Sequence, residues 1–101
     1  VLVLGMGNDG HTASLFPLCP QLQHALSAPV SQLCIDTQAP TAPHQRMSLT
    51  APTLLNAKHT HLHIEGPEKH QVLQQAMALA DPLKMPIFAI LQTPLTIHWC
   101  P

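Results

Sequence analysis

The sequence predicts an α/β protein built on a parallel sheet, and three observations carry that prediction. Short apolar runs suited to buried strands alternate with segments at helical spacing, the order that packs crossover helices on parallel strands. The first run, Val1-Leu2-Val3-Leu4, is continuously apolar and stops at Gly5, as a strand buried on both faces does. Only 9% of the 101 residues are charged while 46% are hydrophobic. That balance is the reverse of the disordered signature.

Each element has its own local reason. Val1–Leu4 is a strand and Gly5–Gly10 a glycine-rich turn. His11–Leu15 reads as a short helix, stopped by Pro17 and Pro20. Ser31–Asp36 is a second apolar strand, and the proline-bearing, aperiodic Thr37–Gln45 is a loop. Met47–Thr50 reads as a short strand, followed by a helix over Ala51–Ala57 that accepts Pro52 in its first turn. His59–Glu65 alternates polar with apolar residues, as strands do. Gly66 and Pro67 then turn the chain into the best helix, Glu68–Ala80, with Val72, Leu73, Ala76, Leu79 and Ala80 on one face. Ile87–Leu91 is a helical turn or a strand, and Leu95–Trp99 is the last strand. A doubly buried strand at residue 1 needs neighbours and covering layers. The expectation is a piece of a larger domain, incomplete at its N-terminus.

Charge and cysteine usage narrow the function classes. Net charge is −1 with four Lys plus Arg, so there is no basic surface for a nucleic acid backbone or an anionic membrane. No apolar run nears the ~20 residues of a membrane helix. The first residues lack the basic stretch and small-residue cleavage site of a secretory signal. Cys19, Cys34 and Cys100 are odd in number and lack CxxC spacing, which argues for a reducing, cytoplasmic setting with each as a small buried hydrophobe.

The first loop holds the chemistry. Gly5, Gly7 and Gly10 spell GxGxxG, and Asp36 follows at the end of a strand, but Pro17 and Pro20 interrupt the helix a dinucleotide site requires. Asp9-Gly10-His11 at the carboxyl end of a strand is the better candidate, because ligands of parallel sheets bind there. An imidazole beside a carboxylate can take a proton from water, the carboxylate fixing its tautomer. The plain alternative is a helix-capping Asp with a His that only packs. Lys69 near a helix start suits a phosphate, and Arg46, the only arginine, offers a planar two-pronged grip. His59, His61 and His63 share one strand face, either as partly solvated surface or as a metal site without an obvious acidic partner.

The segment Leu4-Gly5-Met6-Gly7-Asn8-Asp9-Gly10-His11-Thr12-Ala13-Ser14-Leu15-Phe16-Pro17 closely resembles the signature of the 6-phosphogluconolactonase family. Arg46-Met47-Ser48-Leu49-Thr50, Gly66-Pro67-Glu68-Lys69 and Pro94-Leu95-Thr96-Ile97-His98-Trp99 follow in that family's order. The resemblance implies the glucosamine-phosphate-isomerase-like fold, a three-layer, Rossmann-like parallel α/β sheet. It implies hydrolysis of 6-phosphoglucono-1,5-lactone in the oxidative pentose phosphate pathway, with neither metal nor cofactor. His11 is then the base that activates water and Asp9 its partner. Arg46 and Lys69 anchor the phosphate, and Asn8, Gly10, Thr12 and Ser14 are candidate substrate contacts.

The sister deaminases share the G-x-D-G-H core and carry a Glu five residues beyond its His. Here that position is Phe16, which cannot carry a proton. Family members run to more than twice this length, and their N-terminal half supplies a glycine/serine phosphate loop and an acidic motif that this sequence lacks. The expected partners are the phosphorylated lactone and that N-terminal half. Alone, the chain is expected to be inactive and to self-associate or pack loosely. The competing readings are an isomerase- or deaminase-like activity and a non-catalytic fragment that binds phosphorylated sugars.

Overall fold

The computed structural model describes all 101 residues. Three strands, β1 (Leu2–Leu4), β4 (Thr60–Glu65) and β5 (Thr96–Cys100), form a parallel sheet in the order β1-β4-β5. Leu4 pairs with Leu62, and His63 with His98, so β4 is the central strand. Helix α3 (Gly66–Leu79) follows β4 directly and leads through α4 (Ile87–Leu91) to β5, a crossover between parallel neighbours. Between β1 and β4 lie α1 (Leu22–Ser27), the hairpin β2 (Cys34–Gln38) and β3 (Gln45–Leu49), and α2 (Ala51–Leu55).

The core sits on one face of the parallel sheet. Leu4, Leu62 and Ile64 point into it from the strands, and Val72, Leu73 and Ala76 from α3. Leu22 and Ala25 of α1, Leu54 of α2, and Ile87 and Ile90 of α4 complete it, with Met6 and Leu15 from the first loop. The opposite face is bare. Val3, His63 and His98 stand exposed on it and His61 is half-buried, where a parallel sheet ordinarily carries a second layer of helices.

Several local expectations are corrected. His11–Leu15 is not a helix but holds a single tight turn, with Thr12 bridging to Leu15 and Ala13 in the left-handed region at φ 50°. The Thr12 hydroxyl bonds back to the Gly5 carbonyl, which ties the segment to the preceding loop instead of letting it wind. The loop proposed for Thr37–Gln45 is shorter, because Thr37 pairs with Arg46 and Gln38 with Gln45, confining both prolines to the turn. Strand β2 begins at Cys34, not Ser31, and pairs antiparallel with β3, apart from the parallel sheet. Helix α1 has no counterpart in the sequence reading, since six uncapped residues give too short a period to detect. Leu79 is exposed and Ala80 is the left-handed C-cap of α3, so neither belongs to its buried face. The cysteines are not core residues either: Cys34 and Cys100 are exposed and Cys19 is half-buried.

Candidate active site

Strand β1 ends at Leu4, and the chain leaves its carboxyl end through Gly5 to His11. The loop closes on itself: Gly10 N–H donates to the Gly7 carbonyl, and Gly7 N–H to the His11 carbonyl. Gly10 takes φ +84°, and a Cβ there would meet Met85 Cβ at 2.9 Å. Its carbonyl accepts the N–H of Ile87 at 2.8 Å, which seats the loop on the start of α4.

That closure presses two side chains together. Asp9 Oδ1 accepts the backbone N–H of His11 at 3.0 Å and faces His11 Nδ1 at 2.5 Å. An ionised carboxylate can only accept, so Nδ1 is the donor to it, and in the neutral ring Nε2 then presents a lone pair. The pair lies flat over Gly7, where a Cβ would fall 2.1 Å from His11 Cε1 and 2.8 Å from Asp9 Oδ1. Only a residue without a side chain leaves room for it. His11 and Asp9 keep 33% and 40% of their side-chain surface exposed, so water reaches the imidazole.

His11 lines two cavities. One, of about 380 Å³, is shared with Asn8, Asp9, Phe16, Arg46 and the 39–41 turn. The other, of about 450 Å³, runs along Val3–Gly7 to Lys69. Arg46 and Lys69 therefore reach the imidazole through separate cavities and do not converge in one. The Arg46 Nε–H donates to the Pro43 carbonyl at 2.9 Å, and its terminal amino groups have no protein partner. Lys69, in the first turn of α3, donates to the Met6 carbonyl and so fastens the helix start to the loop.

The remaining expected substrate contacts divide. Asn8 is exposed in the first cavity, its amide donating to Glu68 Oε1 at 3.0 Å. Ser14 is half-buried, and its backbone N–H donates to Ser48 Oγ. Thr12 is 1% exposed with its hydroxyl donating to the Gly5 carbonyl, so in this structure it supports the loop. Gly10 is likewise buried with both backbone polar groups engaged. Sequence reasoning missed the parts played by Glu68, Gly7 and Phe16. No local pattern marks the first; the other two become visible only when the imidazole is placed.

The H-x-H-x-H run does not gather three imidazoles. His61 Nδ1 instead meets His98 Nε2 across the β4–β5 pair at 3.0 Å, and His63 leans toward Glu65.

Comparison with known proteins gives a consistent answer. A family model described as glucosamine-6-phosphate isomerases/6-phosphogluconolactonase matches residues 1–99. A 6-phosphogluconolactonase of Pseudomonas putida is 48% identical over the whole chain, which covers 42% of that protein. One from Rhizobium meliloti is 44% identical, with 45% of its length covered. Among solved structures, a 6-phosphogluconolactonase from Shewanella baltica superposes with a TM-score of 0.87 at 43% identity, over 96% of this chain and 42% of that one. The chain thus spans less than half the length of the relatives it matches.

Proposed function

The chain belongs to the glucosamine-6-phosphate isomerase/6-phosphogluconolactonase family, and we propose that it carries the water-activating part of a 6-phosphogluconolactonase. The observation that supports this most is the Asp9–His11 pair held over Gly7 with Nε2 free. In this reading His11 Nε2 removes a proton from water as the oxygen attacks the lactone C1 carbonyl. Asp9 stabilises the imidazolium that forms. The tetrahedral intermediate collapses with cleavage of the bond from C1 to the ring oxygen, and the imidazolium protonates that leaving oxygen. Acid and base are then restored and 6-phosphogluconate is released.

Arg46 and Lys69 supply positive charge for the phosphate, so that distal binding energy orients C1 against the base. Asn8 and Ser14 are the remaining candidate contacts. Phe16 stands where the resembling deaminases place a proton-carrying Glu, which favours hydrolysis over the isomerase- or deaminase-like alternative. The three unpaired cysteines, Cys19, Cys34 and Cys100, accord with a reducing cytoplasmic setting.

The bare sheet face has a place in the same proposal. It calls for a covering layer, and the N-terminal portion possessed by the relatives supplies one together with the rest of the substrate pocket. The 101-residue chain by itself is then inactive and self-associates or packs loosely, because exposed apolar faces and edges favour pairing. Light scattering and lactone hydrolysis, with and without the N-terminal portion of the Pseudomonas putida relative fused in front, test this. A monodisperse and fully active chain alone would refute it. In the fused protein, His11→Ala is expected to lower kcat by about 10²–10⁴ with little change in KM. Lactone hydrolysis is spontaneous, so the rate is read above background. Near-parent turnover in that variant would remove His11 from its role.

A further inference from the structure

Resting on the reading of His11 as base and Arg46 as phosphate anchor, we propose that Phe16 is the positioning residue that sets one against the other. Phe16 is 5% exposed, yet its ring lines the first cavity between the two groups. The His11 imidazole lies against it with centroids 4.7 Å apart and planes tilted by 38°. The guanidinium carbon of Arg46 sits 5.7 Å from the same ring centre, within reach of a cation–π contact.

Apart from Phe16, His11 is held by one edge and one face, and Arg46 by one edge only. His11 is tied through Nδ1 to Asp9 and rests on Gly7, which leaves its other face open. Arg46 is tied through Nε to Pro43, which leaves the fork free to swing. Phe16 closes both freedoms by meeting the two flat groups with one rigid ring. The ring is itself confined, because only 5% of Phe16 is exposed. The separation of base and phosphate anchor is therefore decided by an apolar residue that exchanges no proton.

The test uses the chain fused behind the N-terminal portion of the Pseudomonas putida relative, with phosphorylated and unphosphorylated gluconolactone as substrates. Phe16→Leu is expected to lower kcat on both lactones by about three- to tenfold, the scale of a lost aromatic contact. It should also raise KM about two- to fivefold for the phosphorylated lactone alone, through the loosened guanidinium. Phe16→Tyr, which keeps the ring, should restore both constants. In an Arg46→Ala background, Phe16→Leu should raise KM no further. If the Leu variant does not fold, Phe16→Met fills the site with similar volume and no ring, and the same split is read from it.

A filler role would only reduce the amount of folded enzyme. Parent kcat per folded molecule together with parent KM would overturn the proposal, as would a KM rise of equal size in both backgrounds. These outcomes differ from failure of the underlying reading, in which His11→Ala itself retains turnover.

Discussion

Two acid–imidazole pairs two residues apart occur in this chain, and they have opposite surroundings. Asp9 and His11 meet at 2.5 Å in a closed loop, against Gly7 and beneath Phe16. His63 and Glu65 meet at 3.5 Å on the outer face of β4, with 59% and 68% of their side chains exposed. The strand pair is a consequence of period-two geometry, which puts alternate residues on one face whatever their chemistry. It pairs two mobile side chains in water, where such contacts are worth little. The loop pair is held by backbone bonds that exist only because the glycines permit the turn. Spacing is thus shared, and the fixed geometry of the loop makes the difference.

Substituting the acids separates the pairs most sharply. Asp9→Asn should lower kcat by about 10²–10⁴ in the fused, full-length protein, since an amide can donate to Nδ1 and favour the wrong tautomer. Glu65→Gln should leave kcat within about twofold, and should change the stability of the unfused 101-residue chain, where the pair is exposed, by no more than about 0.5 kcal/mol. Steady-state kinetics and denaturant melts of the two variants decide this. Parent kcat in Asp9→Asn would show that the loop pair, like the strand pair, is merely structural.

Gly7→Ala attacks the loop pair without touching its chemistry. The added methyl would overlap His11 Cε1, so the imidazole must move, and displacement of that order costs about 10² in rate. Because Gly7 does not sit at positive φ, the fold should survive with an unchanged circular dichroism spectrum. Retained activity would mean that the ring position seen here is not the working one.

Smaller effects belong to the two cations. Lys69→Ala should raise KM for the phosphorylated lactone by about tenfold, a single charge-assisted contact, while the unphosphorylated lactone reacts as with the parent. Arg46→Lys should be damaging as well, because a point charge cannot reproduce the planar fork. If either variant discriminates the two lactones as well as the parent does, that cation is a surface residue. Both cations act on one phosphate in this reading, so the effects of the two substitutions should not simply add.

What was legible in the sequence follows from short-range physics. The unbroken apolar run at Val1–Leu4, the alternation in His59–Glu65 and the helical spacing after Gly66 announce β1, β4 and α3, because burial of one face or both demands those periods. The Asp9–His11 pair was legible for a related reason: the bonds that set it, Gly7 to His11, Gly10 to Gly7 and His11 to Asp9, close within five residues.

Other features needed partners far along the chain. That β2 and β3 form a hairpin apart from the parallel sheet, and that Ser14 is held against it through Ser48, are such features. That Thr12 faces inward, that Arg46 and Lys69 occupy different cavities, and that Phe16 lies between imidazole and guanidinium are likewise tertiary facts. Residue type and spacing determined by themselves which groups could do chemistry. Only packing decided which of them face a common space, because a side chain's direction is set by what excludes it from elsewhere.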